Sequence, residues 1–152
     1  SRRGQTMFSF ALDYYLLVSL SAFGVIQIAA SRGRLDALVL FRSARATWTL
    51  GLSLAALALV WFFAVEDRNI NDYEGGLDAN IQALLFFLGA STAYGVTLGL
   101  SSLVNGRMDG GAWKPGEGLS ALRRTTFARA ISRSLRYWWR EWRTQIRPYL
   151  SG

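Results

Sequence analysis

Three long apolar stretches constrain this chain more than anything else in it: FSFALDYYLLVSLSAFGVIQIAA from Phe8 to Ala30, ATWTLGLSLAALALVWFFAV from Ala46 to Val65, and IQALLFFLGASTAYGVTLGLSSLV from Ile81 to Val104. Each is close to the ~20 residues that carry an α-helix across a bilayer. A soluble chain of this size can bury one such segment, but three in succession leave no polar face to turn toward water. In lipid a single segment must satisfy its own backbone polar groups, and only a helix does so. The expected fold is therefore an all-α integral membrane protein with transmembrane helices over 8–30, 46–65 and 81–104. The first stretch exceeds the apolar core of a signal peptide, and no A-x-A site followed by a soluble domain comes after it, so it is read as a span.

Charge sets the expected orientation. The chain carries a net charge of +7. The segment Leu119 to Tyr149 holds Arg123, Arg124, Arg129, Arg133, Arg136, Arg140, Arg143 and Arg147 against Glu141 alone, which accounts for the whole of that excess. The 31–45 connection has Arg32, Arg34, Arg42 and Arg45 against Asp36, whereas the 66–80 connection has Glu66, Asp67, Asp72, Glu74 and Asp78 against Arg68. Three crossings put the 31–45 connection and the carboxyl-terminal segment on one side, and their arginines place that side in the cytoplasm. The short amino terminus (1–7) and the acidic connection (66–80) then face outward, although Arg2 and Arg3 pull the other way. The expected setting is a bacterial inner membrane.

Residue types exclude several chemistries. With no cysteine and no histidine, the chain lacks thiolates, disulfides, the commonest zinc and haem ligands and the usual proton shuttle near neutral pH. Met7 and Met108 are the only soft donors, so no cofactor is expected. Asp13 and Gln27 are the strongly polar residues inside the spans, where such groups are functional candidates by default. Asp13 stands beside Tyr14 and Tyr15, aromatic residues of the kind that mark headgroup depth, and Gln27 lies near the other end of its span. The two do not form a proton path. Trp48, Trp61, Phe62 and Phe63 read as interfacial aromatics.

The acidic connection holds a partial calcium-loop frame, DRNINDYEGGLD, with Asp67, Asn69 and Asn71 at positions 1, 3 and 5 and Asp78 at position 12. Calcium takes six to eight oxygens from such loops. Yet Asp72 occupies position 6, where the turn wants glycine, and position 12 is usually glutamate. A solvated acidic loop is the favoured reading.

Small residues recur every four positions in two spans: Ser91, Gly95 and Gly99 in the third, and Thr47, Gly51 and Ala55 in the second. Such rows let helix backbones approach closely, which is what drives association in lipid. They serve either this chain's own three helices or a helix of another subunit, and the sequence leaves both open.

After a glycine-rich connector over 105–118, where Pro115 interrupts any helix, the 119–149 segment turns amphipathic. Leu119, Leu122, Thr126, Phe127, Ala130, Ile131, Leu135, Trp138, Trp142, Ile146 and Tyr149 recur at helical steps, with most arginines opposite. This segment is expected to lie on the cytoplasmic membrane face, contacting membrane lipids including anionic headgroups, or to dock on a protein partner, since Trp and Arg commonly anchor interfaces. The residues assigned to that contact are Arg133, Arg136, Trp138, Trp139, Arg140, Trp142 and Arg143. Nucleic acid is disfavoured, because base stacking needs exposed aromatics and these join the aliphatic row.

No stretch carries a family signature and no internal repeat is present. The chain is expected to be a non-enzymatic accessory or anchoring subunit that packs into a larger membrane complex with other membrane-protein subunits. The alternatives are a small oligomeric transporter or channel, with Ser91, Thr92, Thr97, Ser101 and Ser102 as its lining, or a membrane-surface lipid-binding protein. An enzyme acting on lipid would need a nucleophile–base pair or carboxylate cluster near the cytoplasmic surface, and none is found.

Overall fold

The computed structural model describes residues 2–64, 78–108 and 118–150, with side chains over 10–64, 78–108 and 118–144. Four helices account for most of them: α1 (Arg2–Arg32), α2 (Ala44–Ala64), α3 (Ala79–Val104) and α4 (Phe127–Leu150), with a short 3-10 helix, Gly118–Arg123, before the last. Phe10–Arg32, Ala44–Ala64 and Ala79–Val104 are each long and apolar enough to cross a membrane. The shortest of them, α2, has 21 residues, or about 32 Å at 1.5 Å per residue, which matches a hydrocarbon core of about 30 Å. The chain is an all-α membrane protein.

One expected element divides. The helix anticipated over 119–149 is two pieces, the 3-10 turn and α4, separated at 124–126. Ala121 and Leu122 are pulled into a buried cluster beneath the bundle, and Thr125 and Thr126 are buried beside them. Thr126 immediately precedes α4, its carbonyl accepting from the Ala130 N–H at 2.9 Å. Threonine is favoured at such an N-cap position and disfavoured within a helix.

Helix α1 is the common partner of α2 and α3. Along α2 it runs antiparallel: Phe10 and Tyr14 meet Phe62 with ring centroids 5.9 and 6.4 Å apart, Gly24 meets Gly51, and the Arg32 guanidinium lies 4.7 Å from the Trp48 ring centroid. The Gly24–Gly51 crossing is the tightest point. A Cβ added to Gly51 would stand 2.5 Å from the Gly24 carbonyl oxygen and 2.8 Å from Ile28 Cγ1, and one on Gly24 would collide with the Gly51 carbonyl. Only glycine fits at either position. Thr47, Gly51, Ala58 and Phe62 form the buried side of α2, while Ala55 on the same row is half-buried. Thr47 sends its hydroxyl to the carbonyls of Phe41 (3.0 Å) and Ser43 (3.1 Å), so its polarity is absorbed at the helix start.

Helix α3 packs on α1 through Gly89, Ala93, Thr97 and Ser101. Gly89 faces Val18 and Ser19, with Val18 Cγ1 only 3.0 Å from where a Cβ would be. Thr97 donates to the Ala93 carbonyl at 2.8 Å and Ser101 to the Leu98 carbonyl at 3.3 Å. Each hydroxyl is satisfied by its own helix and is free to sit in a tight apolar contact.

At the end opposite the acidic connection, 33–43 forms a folded cap. Helix α1 stops in a Schellman motif: the Leu35 N–H bonds the Ala30 carbonyl at 2.9 Å and the Arg34 N–H bonds that of Ser31 at 3.3 Å. Arg34 takes the left-handed conformation (φ 52°) usually given to glycine. Leu35, Ala37, Leu38 and Val39 then turn under the bundle and pack with Ala30, Leu98, Met108, Leu122 and Phe127. Burying that backbone requires partners for its polar groups, and two carboxamides supply them. Gln27, wholly buried, donates to the Leu38 carbonyl at 3.2 Å and accepts from the Leu40 N–H at 3.0 Å. Asn105, capping α3, donates to the carbonyls of Ala37 (3.3 Å) and Val39 (2.9 Å).

Replacing Gly51 by leucine forces side-chain atoms against the Gly24 backbone, a type of overpacking that costs about 1–3 kcal/mol or more. The Gly51→Leu variant is expected to melt well below the parent protein in detergent. Gly95→Leu, at a position with open space around it, is expected to melt no lower than the parent, because leucine exceeds glycine in helix propensity by about 1 kcal/mol.

Candidate interaction surfaces

Two surfaces have the composition of contact sites and no partner among the described residues. The first is a face of α3. Ser91, Gly95 and Gly99, expected from their spacing to pack a helix, are all exposed, and nothing lies within 4 Å of a Cβ built on Gly95 or Gly99. The row that seats α3 on α1 is Gly89, Ala93, Thr97 and Ser101, two residues out of phase with it. At 100° per residue that offset is roughly half a turn, so one helix carries small-residue rows on nearly opposite sides. Tyr94, Val96, Leu100 and Leu103 flank the outward row and are exposed as well. The row singled out on α2 divides differently: Thr47 and Gly51 are buried and Ala55 is half-buried, so that side is occupied by α1.

The second surface is α4. Its first turns are held to the bundle by Arg129, which donates from one guanidinium nitrogen to the Met108 carbonyl at 2.8 Å and from the other to the Gly106 carbonyl at 2.7 Å. These carbonyls lie just past the end of α3, so the guanidinium is a bracket joining α4 to the third span. Phe127 adds an apolar contact to the cluster below the bundle. Beyond Ser134 every side chain described on α4 is exposed. Leu135, Trp138 and Trp142 stand 65%, 67% and 56% exposed along one line, and Arg133, Arg136, Arg140 and Arg143 follow the opposite line.

Between the two lines the side chains order one another. Trp139 stacks on Trp142 with centroids 5.6 Å apart, and the Arg143 guanidinium lies 5.0 Å from the Trp139 centroid. Tyr137 meets Trp138 edge-on at 6.1 Å, and Arg136 Nε donates to the Ser132 carbonyl at 3.2 Å. A ring held by a stack and a cation is pre-oriented for whatever it meets.

The remaining candidates fall into local roles. Asp78 is the N-cap of α3, accepting from the Asn80 N–H at 2.8 Å, which is the ordinary use of an aspartate at a helix start. Asp67, Asn69 and Asn71, the other members of the calcium-loop frame, lie outside the described residues. Asp13 is half-buried on α1. Of the hydroxyls considered as a pore lining, Thr97 and Ser101 are buried against α1, Thr92 accepts from the Tyr15 hydroxyl at 2.8 Å, and Ser91 faces outward. They do not converge on one line. Sequence reasoning overlooked Asn105 and Arg129. Asparagine directly after the last apolar residue of a span is a helix-end signal, but nothing in the spacing sets Arg129 apart from the arginines that follow it.

Comparison with known proteins found no matching family model, no matching curated protein and no matching solved structure.

Hydrogen bonds to a charged group contribute about 1.5–3 kcal/mol each. Losing the Arg129 bracket in Arg129→Gln is expected to lower the opening free energy of the 118–130 segment by about 2 kcal/mol, or roughly 30-fold in the open population. Limited trypsinolysis checks this: cleavage after Arg124 should accelerate by about that factor relative to cleavage after Arg140, which is exposed in both proteins. An unchanged ratio would show that the bracket does not hold the segment.

Proposed function

We propose that this chain is a non-catalytic anchoring subunit of a larger membrane complex, and that the outward row of α3 is where another subunit's helix packs. The observation that carries the reading is the vacancy around Gly95 and Gly99. A glycine inside a helix is destabilising by roughly 0.5–1 kcal/mol relative to alanine, and no described residue packs closely enough on Gly95 or Gly99 to need one there. Close backbone approach is what small residues permit in lipid, and α1 already uses that device at Gly24 and Gly51.

The described residues support a packing role in other ways. Thr97 and Ser101 are bonded to the backbone of their own helix and Thr92 accepts from Tyr15, which counts against these hydroxyls lining a polar conduit. Gln27, wholly buried, and Asn105, half-buried, are committed to main-chain groups. In this proposal the arginine-bearing end, with 33–43 and α4, lies in the cytoplasm of a bacterial cell and the acidic connection lies outside, as the distribution of positive charge favours.

The test is purification in mild detergent of the parent protein and of a Gly95→Leu, Gly99→Leu double variant. The parent is expected to bring down larger membrane subunits in fixed stoichiometry. The double variant should lose them while its own melting temperature holds. Isolation of the parent as a ring of this chain alone would favour the channel alternative, and isolation as a monomer from its native membrane would overturn the proposal.

A further inference from the structure

We infer that α4 is a binding surface for an anionic bilayer, lying at the headgroup layer of the same membrane that the three spans cross. This goes beyond the subunit proposal and stands whether or not a partner packs on α3. Three observations carry it. The helix starts beside the end of a spanning helix, since Arg129 fastens it to the Gly106 and Met108 carbonyls a few residues past α3. It then leaves the bundle, with every described side chain beyond Ser134 exposed. And its two sides differ in the sense a membrane surface requires: Ile131, Leu135, Trp138 and Trp142 along one, Arg133, Arg136, Arg140 and Arg143 along the other, with Glu141 the only acid in α4.

A helix of 24 residues built this way is too charged to span and buries its apolar side in the headgroup–acyl boundary. Tryptophan is the residue best suited to that depth, its ring apolar and its indole N–H able to reach water or headgroup oxygens. Arginine beside it reaches lipid phosphate from the wet side, its aliphatic stem lying along the boundary. The ordering of Trp139 between Trp142 and the Arg143 guanidinium fixes one ring on the border between the two sides. Each arginine close to an anionic leaflet strengthens binding roughly fivefold, an attraction that fades beyond a Debye length. Lipid is favoured over a protein partner because it is already in place: α4 emerges on the membrane surface and its arginines complement the charge of anionic headgroups there.

The chain contains no cysteine, so one cysteine at a time from Ile131 to Thr144 gives a unique spin-label site in the full-length protein. The labelled proteins are reconstituted into bilayers of phosphatidylcholine alone or with phosphatidylglycerol. Collision with oxygen, which concentrates in the acyl region, and with a water-soluble nickel chelate reports depth. The expected result in phosphatidylglycerol bilayers is a depth profile with a period near 3.6 residues, immersed at 131, 135, 138 and 142 and wet at 133, 136, 140 and 143. In phosphatidylcholine, or at about 1 M salt where the Debye length falls to roughly 3 Å, that contrast should shrink severalfold. So should it in a variant with Arg133, Arg136, Arg140 and Arg143 all changed to glutamine, carrying the label at 135. Equal wetness on both sides in phosphatidylglycerol bilayers would overturn the inference. Protection of 135 and 142 from both reagents, with spin–spin broadening, would also overturn it in favour of a second copy of this chain.

Discussion

Close approach of backbones is the constraint on which this molecule rests. Inside a bilayer, apolar side chains gain nothing by leaving lipid for one another, so helices associate only where packing is tighter than lipid allows. The chain meets that condition at Gly24 and Gly51, where even one added carbon on either helix strikes the other's carbonyl. A milder version occurs at Gly89 against Val18 and Ser19. Because α1 provides the opposing surface in both places, the bundle is organised around its first helix, and α2 and α3 are added to it. In the α1–α3 seam Thr97 and Ser101 bond to their own helix, which offsets the cost of burying those two hydroxyls.

Much of this was legible in the residues, and the parts that were not have physical reasons. Three spans followed from length and hydropathy alone, because a membrane imposes a length scale that globular packing lacks. The row containing Gly51 was legible as a contact row. On α3 the same spacing rule was met twice, by 91, 95 and 99 and by 89, 93, 97 and 101, and periodicity cannot say which of two rows faces α1. The folded cap was hidden by charge. The arginines at 32, 34, 42 and 45 mark a basic connection and are read for orientation alone, while the apolar run LDALVLF between them is long enough to fold under the bundle once Gln27 and Asn105 supply hydrogen bonds. Gln27 was noticed as an unusual residue in a span, but its partners are main-chain groups whose positions no sequence pattern displays. The break before α4 was missed because Thr126 continued the apolar rhythm, although threonine also favours the position just before a helix.

The two unpartnered surfaces differ in kind. The α3 face is narrow, uncharged and at membrane depth, which suits another helix. The α4 face is broad, aromatic and bordered by arginine at the membrane boundary. Gln27, Asn105 and Thr97 belong to neither face, being committed to main-chain groups within the bundle.

The joint from which α4 springs has a property that follows from its chemistry. Arg129 fastens α4 to the Gly106 and Met108 carbonyls, and Gln27 and Asn105 hold the neighbouring 33–43 cap, each through main-chain groups. Direct hydrogen bonds of this kind, partly or wholly buried, are little screened by dissolved ions. The exposed arginine line of the helix is screened strongly. Salt can therefore loosen what the far end of the helix holds without unseating its root.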